Sequence, residues 1–282
     1  MSRARALLTR RAGVVLTLVL LTALCLVWVY PFLWLVSASL KSPLEVFSKG
    51  LNLVPEALRW DNYVRAWSVA SFDRYMLNTV LVTLGTVVVV VVRSMLAGYV
   101  LGRYTFLGKR LIVGVLVATF IVPAGFTIIP VLDLSQRLGL VNNLWGVILA
   151  LGGGGGVANI LLFAGFFSQL PRELEEAAVL DGAGFLDVFF RVMLPLATPV
   201  TATVTILTFL YAWNAFFVPL VFTFGRPELR TLAVGMLAFV GQNETDWSGM
   251  AAAATLSLVP VVLVFFFAQR YLIEGISGAV KG

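Results

Sequence analysis

Six apolar stretches, each long enough to cross a lipid bilayer as a helix, divide the chain into alternating hydrophobic and polar segments. A membrane-spanning helix needs about 20 mostly apolar residues. The qualifying stretches cover residues 13–36, 77–99, 111–132, 144–167, 198–222 and 250–269. Residues 37–76 form the largest polar segment, where prolines and aromatics indicate short interfacial helices. The pattern therefore predicts an all-α polytopic membrane protein with one transmembrane domain over residues 1–282.

The first apolar stretch has two readings. A basic segment, "RARALLTRR", precedes it, and Ser37–Ser39 ("SAS") resembles a signal-peptide cleavage site. The apolar core of a signal peptide usually has only about 7–15 residues. Because this stretch has more than twenty apolar residues, the pattern favours a retained membrane anchor.

The distribution of charge predicts the orientation of the chain. Only 12% of the 282 residues are charged, about half of what a soluble domain of this size carries. With the N-terminus in the cytoplasm, segments 1–12, 100–110, 168–197 and 270–282 face inward. Together with Arg93 they hold twelve Lys/Arg and six Asp/Glu, whereas the outer segments hold eight of each. The positive-inside rule thus places both termini in the cytoplasm, and the net charge of +6 indicates orientation rather than nucleic-acid binding.

Several kinds of chemistry are missing from the sequence. The chain has no histidine, and its one cysteine, Cys25, lies in an apolar stretch, so no metal site and no catalytic group is expected. The six stretches contain no Asp, Glu or His away from their ends, although ion-driven carriers usually bury such groups in the membrane. No filter-like motif indicates a channel. If the chain transports a solute uphill, the energy enters from outside the bilayer.

Two features of the spans leave alternatives open. Five glycines, Gly152–Gly156, interrupt the fourth stretch, and each costs about 0.8–1 kcal/mol in a helix relative to alanine. The run predicts a break, which is either a kink beside a translocation path or a place for close helix packing or a shortened span. Arg93 in the second stretch either extends to the cytoplasmic interface or faces a pore.

Residues 168–197, between the fourth and fifth stretches, form a charged segment with strong helix signals. Pro171 and three glutamates suit the first turn of a helix that runs to about Asp181. Gly182 offers the positive φ that helix ends prefer, and a second helix is predicted from Phe185 to about Leu194, ending at Pro195. With five acids and two arginines, the segment is net negative on the positive side of the membrane. It is either a docking surface for a cytoplasmic partner or a solvated hairpin.

The spacing in this hairpin resembles a known motif. Glu176-Ala177-Ala178 is followed after three residues by Gly182, then after nine by Val192, and after one by Leu194-Pro195. The pattern is similar to the EAA loop of ATP-binding-cassette (ABC) importer permeases, with valine in place of isoleucine. The segments "YAWNAFFVPLVF" and "QRYLIEGISGAVKG" also resemble carbohydrate-uptake permeases of the maltose type.

This resemblance implies the other subunits of the transporter. Two permease subunits form the pathway in the bacterial cytoplasmic (inner) membrane, two ATPase subunits bind ATP and Mg, and an extracytoplasmic binding protein delivers the solute and meets residues 223–249. No cofactor is bound by the permease itself, which is a transport subunit and not an enzyme. The implied ATPase-coupling residues are Glu176, Ala177, Ala178, Asp181, Gly182 and Pro195. The tail that would contact the ATPase includes Glu274, Gly275, Gly278 and Lys281.

The candidates for the solute pathway come from side-chain chemistry. Tyr211, Trp213 and Asn214 bring stacking and hydrogen-bonding groups into the fifth stretch, and Asn159 lies beside the glycine run. Such groups suit the hydroxyls and apolar faces of a sugar, although each aromatic can equally be packed helix surface. We expect an importer of a sugar or oligosaccharide; the alternatives are the same machinery for a polyol or glycerol-phosphate-type solute, or an independent carrier or channel.

Overall fold

The structure, a computed structural model, describes residues 2–48, 50–69, 71–154, 156–241 and 244–280. Regular structure in these ranges is helical apart from an isolated bridge between Val240 and Thr245. The α-helices in chain order are α1 (Ser2–Ala38), α2 (Pro43–Ser48), α3 (Asp61–Val64), α4 (Phe72–Arg103), α5 (Lys109–Ala118), α6 (Ile128–Arg137), α7 (Leu144–Gly154), α8 (Val157–Gln169), α9 (Glu173–Leu180), α10 (Phe185–Asp187), α11 (Leu194–Leu196), α12 (Thr198–Trp213), α13 (Phe217–Phe222), α14 (Leu232–Gly235) and α15 (Trp247–Val280).

Length and composition allow between three and six membrane spans among the described residues. Three uninterrupted helical segments qualify alone, namely Gly13–Ser39, Phe72–Arg103 and Trp247–Gln269. Three further spans result if each of three bent helix pairs counts as one. The all-α membrane architecture predicted from the sequence is confirmed, with breaks in the third, fourth and fifth stretches.

The third stretch breaks at a proline. Residues 111–132 do not form one helix, because α5 and the following 3-10 turn end at Ile121 and the chain bends by 101° before it continues to Arg137. Val122 and Pro123 are both extended, with ψ of 115° and 131°. Proline lacks an N–H group and disfavours a helical conformation in the residue before it, so the helix ends there.

The fourth stretch bends at the glycine run, as the sequence predicts. Leu144–Gly153 and Val157–Gln169 are inclined by 54°, and Gly156 has a φ of +88°. Arg93 of α4 donates a hydrogen bond from Nη1 to the carbonyl of Gly153 at 2.5 Å. Its positive charge lies at the C-terminal end of α7, where a cation interacts favourably with the helix dipole.

The fifth stretch, 198–222, is also divided. Helix α12 ends at Trp213, and Asn214 donates from Nδ2 to the carbonyl of Leu210 at 2.8 Å. The backbone resumes a helix only at Phe217. An asparagine side chain competes with the backbone for helix carbonyls, which makes it a common place for a helix to stop.

The chain divides into two compact units, residues 73–235 with 259–282 and residues 1–72 with 236–258. The expectation of one transmembrane domain over residues 1–282 stays a prediction beside this division. In the larger unit, α4 is the central helix. One core cluster joins α4, α8, the helix from Phe185 to Leu196 and α12, through Val90, Met95, Tyr99, Phe163, Phe167, Val188, Phe189, Met193, Ala197, Val200 and Val204. A second joins α4 to α7 and α13 through Val82, Val147, Ile148, Leu151 and Phe222.

The smaller unit is organised around buried polar groups. Lys41 is fully buried and donates to the carbonyl of Asn52. Asn62 donates to the carbonyls of Ser39 and Lys41 at 2.8 and 2.9 Å, and it accepts a bond from Arg65. The short helices α2 and α3 match the sequence prediction for residues 37–76, but they carry an internal hydrogen-bond network that composition does not reveal.

Candidate coupling hairpin

Two helices and a glycine turn form the hairpin predicted for residues 168–197. Helix α9 ends at Leu180, and Gly182 follows with a φ of +86°. The amide of Ala183 bonds to the carbonyl of Ala178 at 2.9 Å, and the amide of Gly182 bonds to Val179 at 3.0 Å. These two bonds define a Schellman motif, whose left-handed residue is usually glycine. The predicted glycine stop is confirmed.

The residues of the EAA motif divide between two sides of α9. Glu176, Ala177, Asp181 and Gly182 are exposed. Ala178 is half-buried and packs with Ala183 against the core cluster around α4. The motif therefore presents one carboxylate-bearing, otherwise small surface outward, while its inner side belongs to the core.

An ion pair that sequence reasoning missed anchors the inner side of the hairpin. Glu175, next to the motif, accepts a bond from Arg103 at 2.9 Å, with side-chain exposures of 20% and 3%. Tyr99 donates from its hydroxyl to the other oxygen of Glu175 at 3.1 Å. The sequence hardly indicates this ion pair, because residues 173–176 contain three glutamates and nothing in the sequence tells which of them faces inward.

The second helix of the hairpin begins at Phe185, as predicted, and ends at Leu196, one residue after the predicted end at Pro195. The chain then bends by 72° into α12. The stretch Val188–Met193 is a π-helix. Pro195 has no N–H to donate four residues back, and its ring crowds that carbonyl, so a widened turn before it accommodates the proline.

An open groove lies along the hairpin. Its lining combines the polar side chains of Glu175, Glu176 and Tyr104 with the apolar side chains of Val179, Leu180, Phe185 and Val188. Leu180 and Phe185 beside the turn are 88% and 53% exposed. Exposed apolar side chains of this size, next to a polar rim, are typical of a surface that contacts another protein.

The predicted tail lies only partly within the described residues. Glu274, Gly275 and Gly278 fall in the last turns of α15. Their side chains lie outside the part that the structure describes, and Lys281 lies outside the described residues altogether. No contact of the tail is therefore part of the site.

The predicted pathway residues have different environments. Tyr211 is 56% exposed and Asn214 is exposed at the end of α12. Trp213 is only 5% exposed and stacks on Phe209, with ring centroids 5.3 Å apart. Asn159 is half-buried in the first turn of α8. Tyr211 and Asn214 are thus exposed and Trp213 packs inside the larger unit, while the role of all four residues in the pathway stays a prediction.

Side chains for metal binding are scarce. Among the described residues, no group of three or more His, Cys, Asp or Glu lies close enough to hold an ion. The acids of the hairpin instead pair with arginine, as Glu175 does, or face outward.

Comparison with known proteins agrees with this geometry. Residues 94–278 match the family described as "Binding-protein-dependent transport system inner membrane component". The chain is 34% identical over 254 residues to the probable ABC transporter permease protein YurM of Bacillus subtilis, covering 90% of this chain and 84% of the relative. It is 34% identical over 261 residues to the diacetylchitobiose uptake system permease protein NgcG of Streptomyces coelicolor, covering 90% and 86%.

Two further matches extend the comparison. The melibiose/raffinose/stachyose import permease protein MelC of Bacillus subtilis is 32% identical over 254 residues, covering 89% of this chain and 91% of the relative. The fold superposes with a TM-score of 0.81 and 26% identity on a chain from the crystal structure of a bacterial ABC transporter involved in the import of the acidic polysaccharide alginate, covering 93% and 97% of the two chains. The chain belongs to the family of inner membrane components of binding-protein-dependent transport systems, and it is a permease subunit of an ABC importer rather than an enzyme.

Proposed function

We propose that this permease subunit imports a sugar or oligosaccharide and that the hairpin, formed by α9 and the helix from Phe185 to Leu196, couples it to a separate ATPase. The observation that carries the proposal is the division of the EAA motif. The exposed side of α9 offers Glu176, Ala177 and Asp181 to a partner, while the opposite side is held in the core. The small alanine lets a partner surface approach the backbone closely, and the acids supply ion pairs at its rim.

The chemistry of the pathway supports a carbohydrate as the solute. The permeases of diacetylchitobiose, melibiose/raffinose/stachyose and arabinooligosaccharide systems are relatives at 31–34% identity. Tyr211 and Asn214 are exposed at the end of α12, where an aromatic ring can stack on a sugar and an amide can bond to hydroxyls. Half of the pathway would come from this chain and half from a second homologous permease subunit.

The assembly follows from the family and from charge. The chain would cross the inner membrane six times with both termini and the hairpin in the cytoplasm, where two ATPase subunits bind ATP and Mg. A solute-binding protein would contact residues 223–249 on the other side. The tail with Glu274, Gly275, Gly278 and Lys281 would reach the ATPase subunits, and Pro195 would set the direction in which the chain enters α12.

Capture of the ATPase tests the coupling proposal. Ala177→Tyr adds a ring to an exposed position, so the subunit keeps its fold but loses the close approach to its ATPase. Ala118→Tyr adds the same ring to an exposed alanine at the end of α5 and serves as the matched control. We expect tagged wild-type and Ala118→Tyr permease to co-purify with the ATPase subunit and Ala177→Tyr to lose it. Equal capture by all three would refute the hairpin as the contact.

Uptake into proteoliposomes tests the solute. The complete transporter with its binding protein is supplied with Mg-ATP and with labelled diacetylchitobiose, raffinose, glycerol or glycerol 3-phosphate. Uptake of one of the sugars that needs ATP supports the proposal. Uptake of glycerol or its phosphate alone would point to the polyol alternative, and uptake down a gradient without ATPase subunits would point to an independent carrier.

A further inference from the structure

Arg103, the last residue of α4, is a buried cation whose partners lie on three different segments. Its side chain is 3% exposed. Nη1 donates to the carbonyls of Phe167 and Leu170 at 3.2 and 2.6 Å, and Nη2 donates to the carboxylate of Glu175 at 2.9 Å and, at 3.4 Å, to the carbonyl of Pro171. Removing such a cation from water is costly unless its donors are satisfied. Here both Nη atoms are bonded, to the last turn of α8, to the chain that leads to α9, and to α9 itself.

Tyr99, one turn earlier in α4, also bonds to Glu175, and together with Arg103 it forms the joint between α4 and the hairpin. It is 1% exposed and donates to the second oxygen of Glu175 at 3.1 Å. Its ring lies 5.0 Å from the ring of Phe189 and 5.3 Å from that of Phe167, measured between centroids. Both oxygens of Glu175 are thus bonded to α4, and the ring that holds one of them packs against α8 and the second helix of the hairpin.

Helices α4 and α8 approach each other to backbone contact at this end. A Cβ added to Gly98 would lie 2.4 Å from the Cβ of Phe163, and one added to Gly102 would lie 2.6 Å from the carbonyl oxygen of Ala164. Two glycines four residues apart let helices approach to backbone contact, as in other membrane helix pairs. A displacement of α9 that is transmitted through Glu175 would therefore move α4 and α8 together.

We propose that Arg103 is a positioning residue for coupling, which fastens the hairpin to α4 and α8 so that a displacement of the hairpin reaches the spans. This inference rests on the proposed function of the hairpin as the ATPase contact. Adjacent glutamates then have separate tasks, because Glu176 faces the partner while Glu175 holds the hairpin to its own subunit. Arg103 acts through Glu175 and touches neither ATP nor solute.

The test measures the connection between hairpin and span in the assembled transporter. Spin labels are placed at Leu84→Cys in α4 and Leu186→Cys in the hairpin, where both native side chains are more than half exposed, with Cys25→Ser removing the native thiol. Pulsed electron paramagnetic resonance then gives the distribution of distances between the two labels, once without nucleotide and once with Mg-ATP and vanadate. Inhibition of ATP hydrolysis by vanadate shows that the trapped state has formed.

The expected result separates a positioning role from a merely structural one. In the wild type the two distributions coincide, because hairpin and span move together, whereas in Arg103→Met the hairpin label shifts or spreads on trapping. Arg103→Met/Glu175→Met leaves no unpaired charge buried, so the double variant regains thermal stability but not the wild-type distribution. Arg137→Met, which removes an exposed ion pair with Asp133 in α6, serves as the control and keeps the wild-type distribution.

Two outcomes contradict the inference. If Arg103→Met still captures the ATPase and gives wild-type distance distributions in both states, the joint does not position the hairpin. If Arg103→Met does not assemble, the isosteric change Glu175→Gln supplies the same comparison. If the double variant regains the wild-type distribution, the pair serves stability alone. Failure of the proposed function has another signature, since the wild type itself would then capture no ATPase.

Discussion

The sharpest test of the coupling surface is the replacement of Gly182, which can be a helix stop, a docking surface, or both. Its φ of +86° is one that an L side chain rarely adopts, and a Cβ built there meets no atom within 4 Å. Gly182→Ala therefore adds backbone strain without a clash inside the subunit. A non-glycine residue in the left-handed region costs about 1–2 kcal/mol.

A second glycine supplies the matched control. Gly139, after α6, has a φ of +68° and also has open space around its Cβ position. We expect Gly139→Ala and Gly182→Ala to lose a similar free energy of unfolding, about 1–2 kcal/mol, and to show a similar fall in Tm. Only Gly182→Ala should also lose capture of the ATPase subunit, because Gly139 lies outside the hairpin.

Gly182→Asn separates strain from bulk. Asparagine adopts positive φ several-fold more readily than most residues, so this variant should regain most of the stability that alanine loses. Its side chain still projects from the exposed surface, and ATPase capture should stay low. Wild-type capture by Gly182→Asn would refute the reasoning, since Gly182 would then serve only to end α9.

Three further variants test other parts of the structure. Arg93→Met removes the hydrogen bond to the carbonyl of Gly153, so we expect a lower Tm and faster hydrogen exchange around the bend. Both should be largely restored in Arg93→Lys, and equal exchange in all forms would contradict this role. Trp213→Ala should cost about 3–5 kcal/mol, as for other buried aromatics, and lower the yield of folded protein. Tyr211→Ala, at an exposed ring, should leave Tm nearly unchanged and raise the KM for solute; an unchanged KM would remove Tyr211 from the pathway.

Local signals in the sequence predict the outline of this fold well. The turn at Gly182 and the bend at the glycine run follow from the conformational preferences of single residues, and both are confirmed. The hairpin was recognisable because its motif depends on spacing along the chain.

Features that depend on distant partners were not predictable. Arg103 and Glu175 are 72 residues apart, so their ion pair depends on how α4 packs against α8. The inner and outer glutamates of α9 look alike in sequence and differ only in which one meets that arginine. The π-helix before Pro195 depends on how the whole helix relieves one missing hydrogen bond. The break at Pro123 could have been predicted from the sequence, because extended backbone before proline is a local preference.

The anchor at Arg103 has a consequence for how this subunit can change in evolution. Three of the four acceptors are main-chain carbonyls, at Phe167, Leu170 and Pro171. Every residue type supplies a carbonyl, so the exposed side chain at position 171 can change and the hairpin still be held in place, whereas Leu170 also packs against the core cluster. The connection between α8 and α9 cannot change in length without moving those oxygens away from the guanidinium. Insertions and deletions should therefore be excluded from this connection, although substitutions at its exposed positions are tolerated.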